Sequence, residues 1–126
     1  MTDSGNGPCW IKDSTFQNFK LDAGSASIVQ LSGSPAFLRG LAFDSCNAAV
    51  AVTQALIEVD ANVTDFSVTD CFGLPASGST FNYGVLVAAG TSDRYVITNN
   101  EFSAAATAKV LDGGTGTNKN VANNPT

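Results

Sequence analysis

Tyr95-Val96-Ile97-Thr98-Asn99-Asn100 is the stretch on which the fold turns. Four other segments share its frame: Cys9-Trp10-Ile11-Lys12-Asp13-Ser14, Leu41-Ala42-Phe43-Asp44-Ser45-Cys46, Phe66-Ser67-Val68-Thr69-Asp70-Cys71 and Lys119-Asn120-Val121-Ala122-Asn123-Asn124. The third position is always apolar (Ile11, Phe43, Val68, Ile97, Val121). The fifth is always small and polar (Asp13, Ser45, Asp70, Asn99, Asn123). Successive segments lie 32, 25, 29 and 24 residues apart. A period of this size is the mark of a repeat architecture.

Alternation accounts for the frame. In a strand, residues two apart point the same way, so the third and fifth positions are expected to face one interior. A polar residue at the strand end suits a bend and can hydrogen-bond the coils above and below. A second apolar burst falls between these segments, in Ser27-Ile28-Val29-Gln30-Leu31, Ala55-Leu56-Ile57-Glu58-Val59, Gly84-Val85-Leu86-Val87 and Ala108-Lys109-Val110-Leu111. Strand, turn, strand, turn, recurring along the chain, predicts a solenoid. Two alternatives stay open: helical spacing of Val52, Ala55, Leu56 and Val59 permits a short helix over 48–60, and the whole chain permits a compact β-sandwich.

Phrases such as Tyr95-Val-Ile-Thr-Asn-Asn-Glu-Phe102 and Tyr83-Gly-Val-Leu-Val87 resemble the rungs of right-handed parallel β-helices. That superfamily includes pectate-lyase-like enzymes and the tailspikes of tailed phages. The resemblance spans residues 9–124. It implies an all-β, short right-handed parallel β-helix of about four to five rungs, a single domain over 1–126. Residues 1–22 are expected to form an N-terminal cap and docking segment, and 23–126 the rungs.

Composition narrows the chemistry. The 126 residues carry 6 Lys+Arg against 11 Asp+Glu, a net charge of −5. That balance speaks against a nucleic-acid partner, which needs a clustered basic face. There is no histidine, which removes His-based triads and His-ligated metal sites. No stretch reaches the roughly 20 apolar residues of a membrane helix. The N-terminus lacks the basic start and apolar run of a signal peptide. Cys9, Cys46 and Cys71 are odd in number and lack CxxC spacing, so reduced thiols are expected. Cys46 and Cys71 share one place in the frame and are expected to stack.

Carboxylates are the remaining catalytic candidates. Neighbouring rungs lie about 4.8 Å apart, so Asp13 or Asp44 can approach a carboxylate on the next rung. Asp13 and Asp70, however, take the turn position of the frame, and Asp44 and Glu101 read as solvated. No catalytic residue, cofactor or metal ligand is assigned. Asp112-Gly-Gly-Thr-Gly-Thr117 lacks the ligand alternation of a calcium loop and the Gly-Lys-Ser/Thr of a phosphate loop, and reads as a flexible turn. Asn62-Val63-Thr64 matches a glycosylation acceptor pattern.

Val85 to Ala89 is apolar without a break, and Val29/Leu31 and Ile57/Val59 already supply inward pairs. An outward apolar stripe of Ile28, Leu56, Val85, Leu86 and Val87 is therefore expected, covered by self-association. The resemblance implies a homotrimer. Trp10, Phe16 and Phe19 are the candidate docking residues. With the shortness of the coil, the resemblance suggests a capsid cement or decoration protein, not an enzyme. It would be made in the host cytoplasm and sit on the outer surface of the virion, bound to the major capsid protein. A carbohydrate-binding fibre, tailspike or adhesin fragment is the alternative, with a glycan as partner. A polysaccharide-cleaving enzyme is the third reading.

Overall fold

The structure, a computed structural model, describes residues 2–3, 8–74 and 79–125. Met1 and residues 4–7 of the expected 1–22 cap lie outside the described residues. The described residues form thirteen strands in chain order: β1 (Thr2–Asp3), β2 (Cys9–Lys12), β3 (Thr15–Gln17), β4 (Ser27–Leu31), β5 (Ala36–Arg39), β6 (Ala42–Asp44), β7 (Ala55–Val59), β8 (Thr64–Thr69), β9 (Phe72–Leu74), β10 (Tyr83–Gly90), β11 (Asp93–Thr98), β12 (Ala108–Gly114) and β13 (Lys119–Ala122).

They build three sheets. The first runs β1-β4-β7-β10-β12, the second β13-β11-β8-β5-β2 and the third β3-β6-β9. Every strand pairing is parallel. The chain visits the sheets in turn and returns one strand further along, giving a β-solenoid of about four turns. The 48–60 helix is not formed: Ala55–Val59 is a strand in the middle of the first sheet. A sandwich of antiparallel sheets is excluded by the same pairings.

Register corrects one member of the sequence frame. The inward row of the second sheet is Ile11, Leu38, Val68, Ile97 and Val121. Phe43 belongs instead to the third sheet, between Phe16 and Gly73. The true second-coil member is Ala36-Phe37-Leu38-Arg39-Gly40, whose corner residue is glycine rather than a small polar residue.

The corners are set by single left-handed residues. Asp13, Gly40, Asp70, Asn99 and Asn123 follow the second-sheet strands with φ of 50°, 64°, 55°, 59° and 52°. Gly, Asn and Asp are the residues that tolerate this region at least cost. One such residue breaks the two-residue alternation. The fifth position therefore does not face the interior, as alternation alone predicts. Asp13, Asp70, Asn99 and Asn123 are exposed, and the next residue turns in: Leu41, Cys71 and Asn100 are buried. Ser45 sits in a different corner, after the third sheet, with Asn18 (φ 56° and 59°).

Stacked rows fill the core. Phe16 lies on Phe43 with ring centroids 5.1 Å apart, and Phe66 on Tyr95 at 4.5 Å. Each fully buried large side chain contributes about 1.5–3 kcal/mol of transfer free energy. Gly73 interrupts the aromatic row, and the space is taken from across the coil. A Cβ there would lie 2.9 Å from Phe81 Cζ and 3.0 Å from Leu56 Cδ1. Leu56 thus points inward, as its neighbour Ile57 does, and both belong to the buried cluster.

Polar ladders tie the coils. Gln54, fully buried, donates from Nε2 to the carbonyls of Asp22 and Ser25 and accepts from the backbone N–H groups of Val50 and Ala51. One coil on, Asn82 Nδ2 donates to the Ala51 carbonyl at 2.6 Å. These bonds satisfy corner backbone groups that the sheets leave unpaired.

Candidate docking surface

The outer face of the second sheet carries a repeated pattern. Cys9-Trp10-Ile11-Lys12 and Ala36-Phe37-Leu38-Arg39 alternate inward aliphatic or small residues with an outward aromatic and an outward cation. In register, Trp10 lies beside Phe37 and Lys12 beside Arg39. Trp10 is 67% exposed, and its ring centroid is 4.4 Å from that of Phe37 with the planes tilted 30°. The aromatic row continues through Ser67, Val96 and Asn120, and the cationic row through Thr69, Thr98 and Ala122.

Like charges directly opposite one another on paired strands repel. Asp70 relieves this in part, its Oδ2 lying 3.3 Å from Arg39 Nε. Both groups are well exposed, so the pair adds little stability. Further along, Arg94 grips Asp65 through two bonds of 2.7 and 2.6 Å. That guanidinium, with help from the Thr64 hydroxyl, holds the Asp65 carboxyl down to about 2.

The three aromatic docking candidates do not form one cluster. Trp10 stands on the outer face. Phe16 is an inward core residue, 9% exposed, and so offers no docking surface. Phe19 is exposed and meets Phe16 edge-on at 6.0 Å. The expected outward stripe is also absent. Ile28, Leu56, Val85, Leu86 and Val87 are each 8% exposed or less within one chain. They have no surface left for a partner. Exposed apolar side chains fall elsewhere: Val96 on the second sheet, Phe72 and Leu74 on the third, Leu111 on the first. Phe37, Arg39, Phe72 and Leu74 were not singled out from the sequence. The match between Cys9–Asp13 and Ala36–Gly40 is the signal that marks the first two.

The carboxylates considered for chemistry are occupied locally. Asp44 accepts from Gln17 Nε2 at 2.7 Å and from Ser45 Oγ at 2.9 Å. Glu101 accepts from the Ser103 N–H at 3.1 Å, and the Ser103 hydroxyl, then that N–H, lower its pKa. Asp13 sits at its corner, its Oδ1 over Gly40.

Cys46 and Cys71 are buried free thiols in different corners, so they do not stack as expected. Cys71 comes next to Leu41, just ahead of the Ala42–Phe72 register pair. Burial pushes the Cys71 thiol up to about 11 and raises that of Cys46.

The glycine-rich stretch after Asp112 is not wholly a flexible turn. Its first residues end β12, and Asp112 accepts from the Tyr95 hydroxyl at 2.5 Å and pairs with Lys119 at 2.8 Å. Burial, then the Asp112 carboxylate, pushes the Tyr95 hydroxyl up to about 12. A shallow cleft of about 510 Å³ lies beside the last described coil, lined by Lys109, Val110, Val121, Asn123 and Asn124 among others. Among the described residues, no group of three or more Cys, Asp and Glu is placed to hold a metal ion. Among the same described residues, no helix is long and apolar enough to cross a membrane.

Comparison with family models, with curated proteins and with solved structures gives no match.

Proposed function

We propose that this chain is a non-catalytic structural protein that binds as a homotrimer to the outer shell of a tailed phage and stabilises it, with the major capsid protein as its partner. The observation that carries the reading is Trp10, a large aromatic held 67% exposed against Phe37 on a flat β-face. Exposed aromatics of this kind are the usual anchors of protein–protein contacts, where they bury much area at little entropic cost. A parallel solenoid adds rigidity, so the anchor is presented without loop ordering on binding. Binding to the native shell alone would stabilise it by linkage. Substituting Trp10→Ala should weaken attachment while leaving the coil folded. Undecorated shells of a candidate phage, mixed with wild-type or variant protein and heated, provide the test. Equal protection by both proteins would remove Trp10 from the docking role.

A second reading draws on the same face. The Trp10–Phe37 ledge runs beside a row offering Lys12, Arg39, Thr69 and Thr98, a stacking ring next to hydrogen-bonding groups. That arrangement suits a glycan bound without turnover. Retention on a glycan array, lost with Trp10→Ala, would favour it over shell binding.

A further inference from the structure

The second sheet has an open edge. β13 is its outermost strand on one side, as β12 is of the first sheet, and β2 with Trp10 stands on the other side. Tyr95 donates its N–H to the Asn118 carbonyl at 3.2 Å. Alternate residues of a parallel strand bond to opposite neighbours, so the N–H and C=O groups of Lys119, Val121 and Asn123 point away from β11. The side chains at this edge continue buried rows. Val121 follows Ile97 inward yet is 37% exposed. Val110 follows Val85 and is only partly buried against the core. Both valines line the cleft of about 510 Å³, with Ala122 and Asn124 beside them. Asn124 tops a polar series: its Oδ1 accepts from the Asn100 N–H, as the Asn100 Oδ1 accepts from the Cys71 N–H. The Asn124 N–H, next in that series, has no partner among the described residues.

We infer that this edge binds an extended segment of another protein as one more parallel strand, and that the segment repeats the frame of the coil, with an aliphatic residue over Val121 and an asparagine over Asn124. A row of exposed backbone donors and acceptors is matched in full by another strand. Main-chain bonds then supply affinity, and the side-chain positions choose the segment. Val121 selects an apolar residue because the row below it, Val68 and Ile97, is aliphatic and buried. The waiting Asn124 N–H selects an asparagine, whose Oδ1 would accept from it as Asn124 does from Asn100. A second copy offers no such end. Its first coil has Ser14 where the frame needs asparagine, with the Ser14 Oγ donating to the Lys12 carbonyl at 2.9 Å, and Phe19 lies edge-on against Phe16 there. The site is across the sheet from the Trp10 ledge, so it stands apart from the shell reading and both surfaces can be filled at once.

A peptide copied from residues 94–101, Arg-Tyr-Val-Ile-Thr-Asn-Asn-Glu, is the probe, titrated into the full chain and followed by amide NMR. Saturable shifts at 108–110 and 119–124 are expected, with slower exchange of the Lys119, Val121 and Asn123 amides. Peptides carrying Ile97→Asp or Asn100→Ala should bind about tenfold more weakly. N-methylation of the peptide at Thr98, whose N–H would face β13, should abolish binding; N-methylation at Ile97, whose N–H would face away, should not. No binding at millimolar peptide, equal binding of a scrambled peptide, or shifts at Cys9–Lys12 instead would each overturn the inference. So would slow exchange of those three amides in the free protein, which would mean that a second copy already holds the edge.

Discussion

Asn124 lies on Asn100: its Oδ1 accepts both the backbone N–H of Asn100 at 3.1 Å and its side-chain Nδ2 at 3.0 Å. Asn100 repeats the gesture one coil down, accepting from the Cys71 N–H at 3.0 Å and donating to the Val68 carbonyl at 2.9 Å. Asn100 is wholly buried, so these bonds stand in for water. Replacing Asn100→Ala leaves the Cys71 N–H without its partner and removes the side-chain bond to the Val68 carbonyl. A fall in stability of about 1–3 kcal/mol, the cost of one orphaned buried group, is expected in urea unfolding, and Asn100→Ser should recover little of it.

The corner residues make a separate prediction, about backbone rather than hydrogen bonding. Asn99 is exposed with φ of 59°. Asn99→Gly should change stability by less than about 0.5 kcal/mol, since glycine enters this region freely. Asn99→Val should cost about 1–2 kcal/mol, because a β-branched side chain crowds the left-handed conformation. Thermal midpoints of the two variants check the contrast; equal values would mean that the corner is not held in this geometry.

Two carboxylates should pull stability in opposite directions with pH. The Glu58 carboxyl is raised above its ordinary value by burial, and secondarily by the charge of Asp60, and its Oε2 has no hydrogen-bond partner. A raised acid favours the folded state when protonated. Its contribution is therefore full below the unfolded value and lost as pH rises through the folded one. Asp65 behaves in the opposite sense: lowered from 3.8 to about 2 by Arg94, it adds stability above 3.8 that disappears as pH falls toward 2. Urea midpoints from pH 2 to 7 should show Glu58→Gln gaining on wild type as pH rises through the folded value, and Asp65→Asn losing its deficit in acid.

Thiol labelling reports on the corners directly. Cys46 and Cys71 are each 1% exposed and have raised pKa values, and the thiolate is the reactive form. In the folded protein at pH 7.5–8, iodoacetamide should leave both unmodified over hours, with peptide mass spectrometry locating any adduct. Full labelling is expected in denaturant. Rapid native labelling of either would show that its corner opens.

Much of the fold is legible in the chain because parallel stacking puts like residues on like. Four of the five framed segments are second-sheet strands or the corners beside them, and the Asn99-Asn100 and Asn123-Asn124 pairs announce the ladder. The segment Leu41–Cys46 misled because it imitates the frame on another sheet, while Gly40 concealed the true corner by lacking the expected polar side chain. The outward stripe was misjudged for a different reason. Strict alternation puts Leu56 and Ile57 on opposite sides, yet both are buried, since Leu56 reaches across to fill the space at Gly73. That space is a property of the tertiary packing, invisible to any local period. The candidate docking face was half legible: Trp10 stood out by its size, but its neighbour Phe37 required the correct register.

The left-handed corners work as punctuation in the reading frame of the coil. Each one restarts the inward–outward phase of the third-sheet strand that follows, whatever the number of residues spent on the other turns of the coil. Phe16, Phe43 and Gly73, each three residues past its corner, therefore remain in one row although the intervals between them, 27 and 30 residues, are unequal. A residue inserted into a loop before a corner shifts the loop alone. The chain can accumulate insertions and deletions, coil by coil, until no repeat is visible by identity, and its rows still meet.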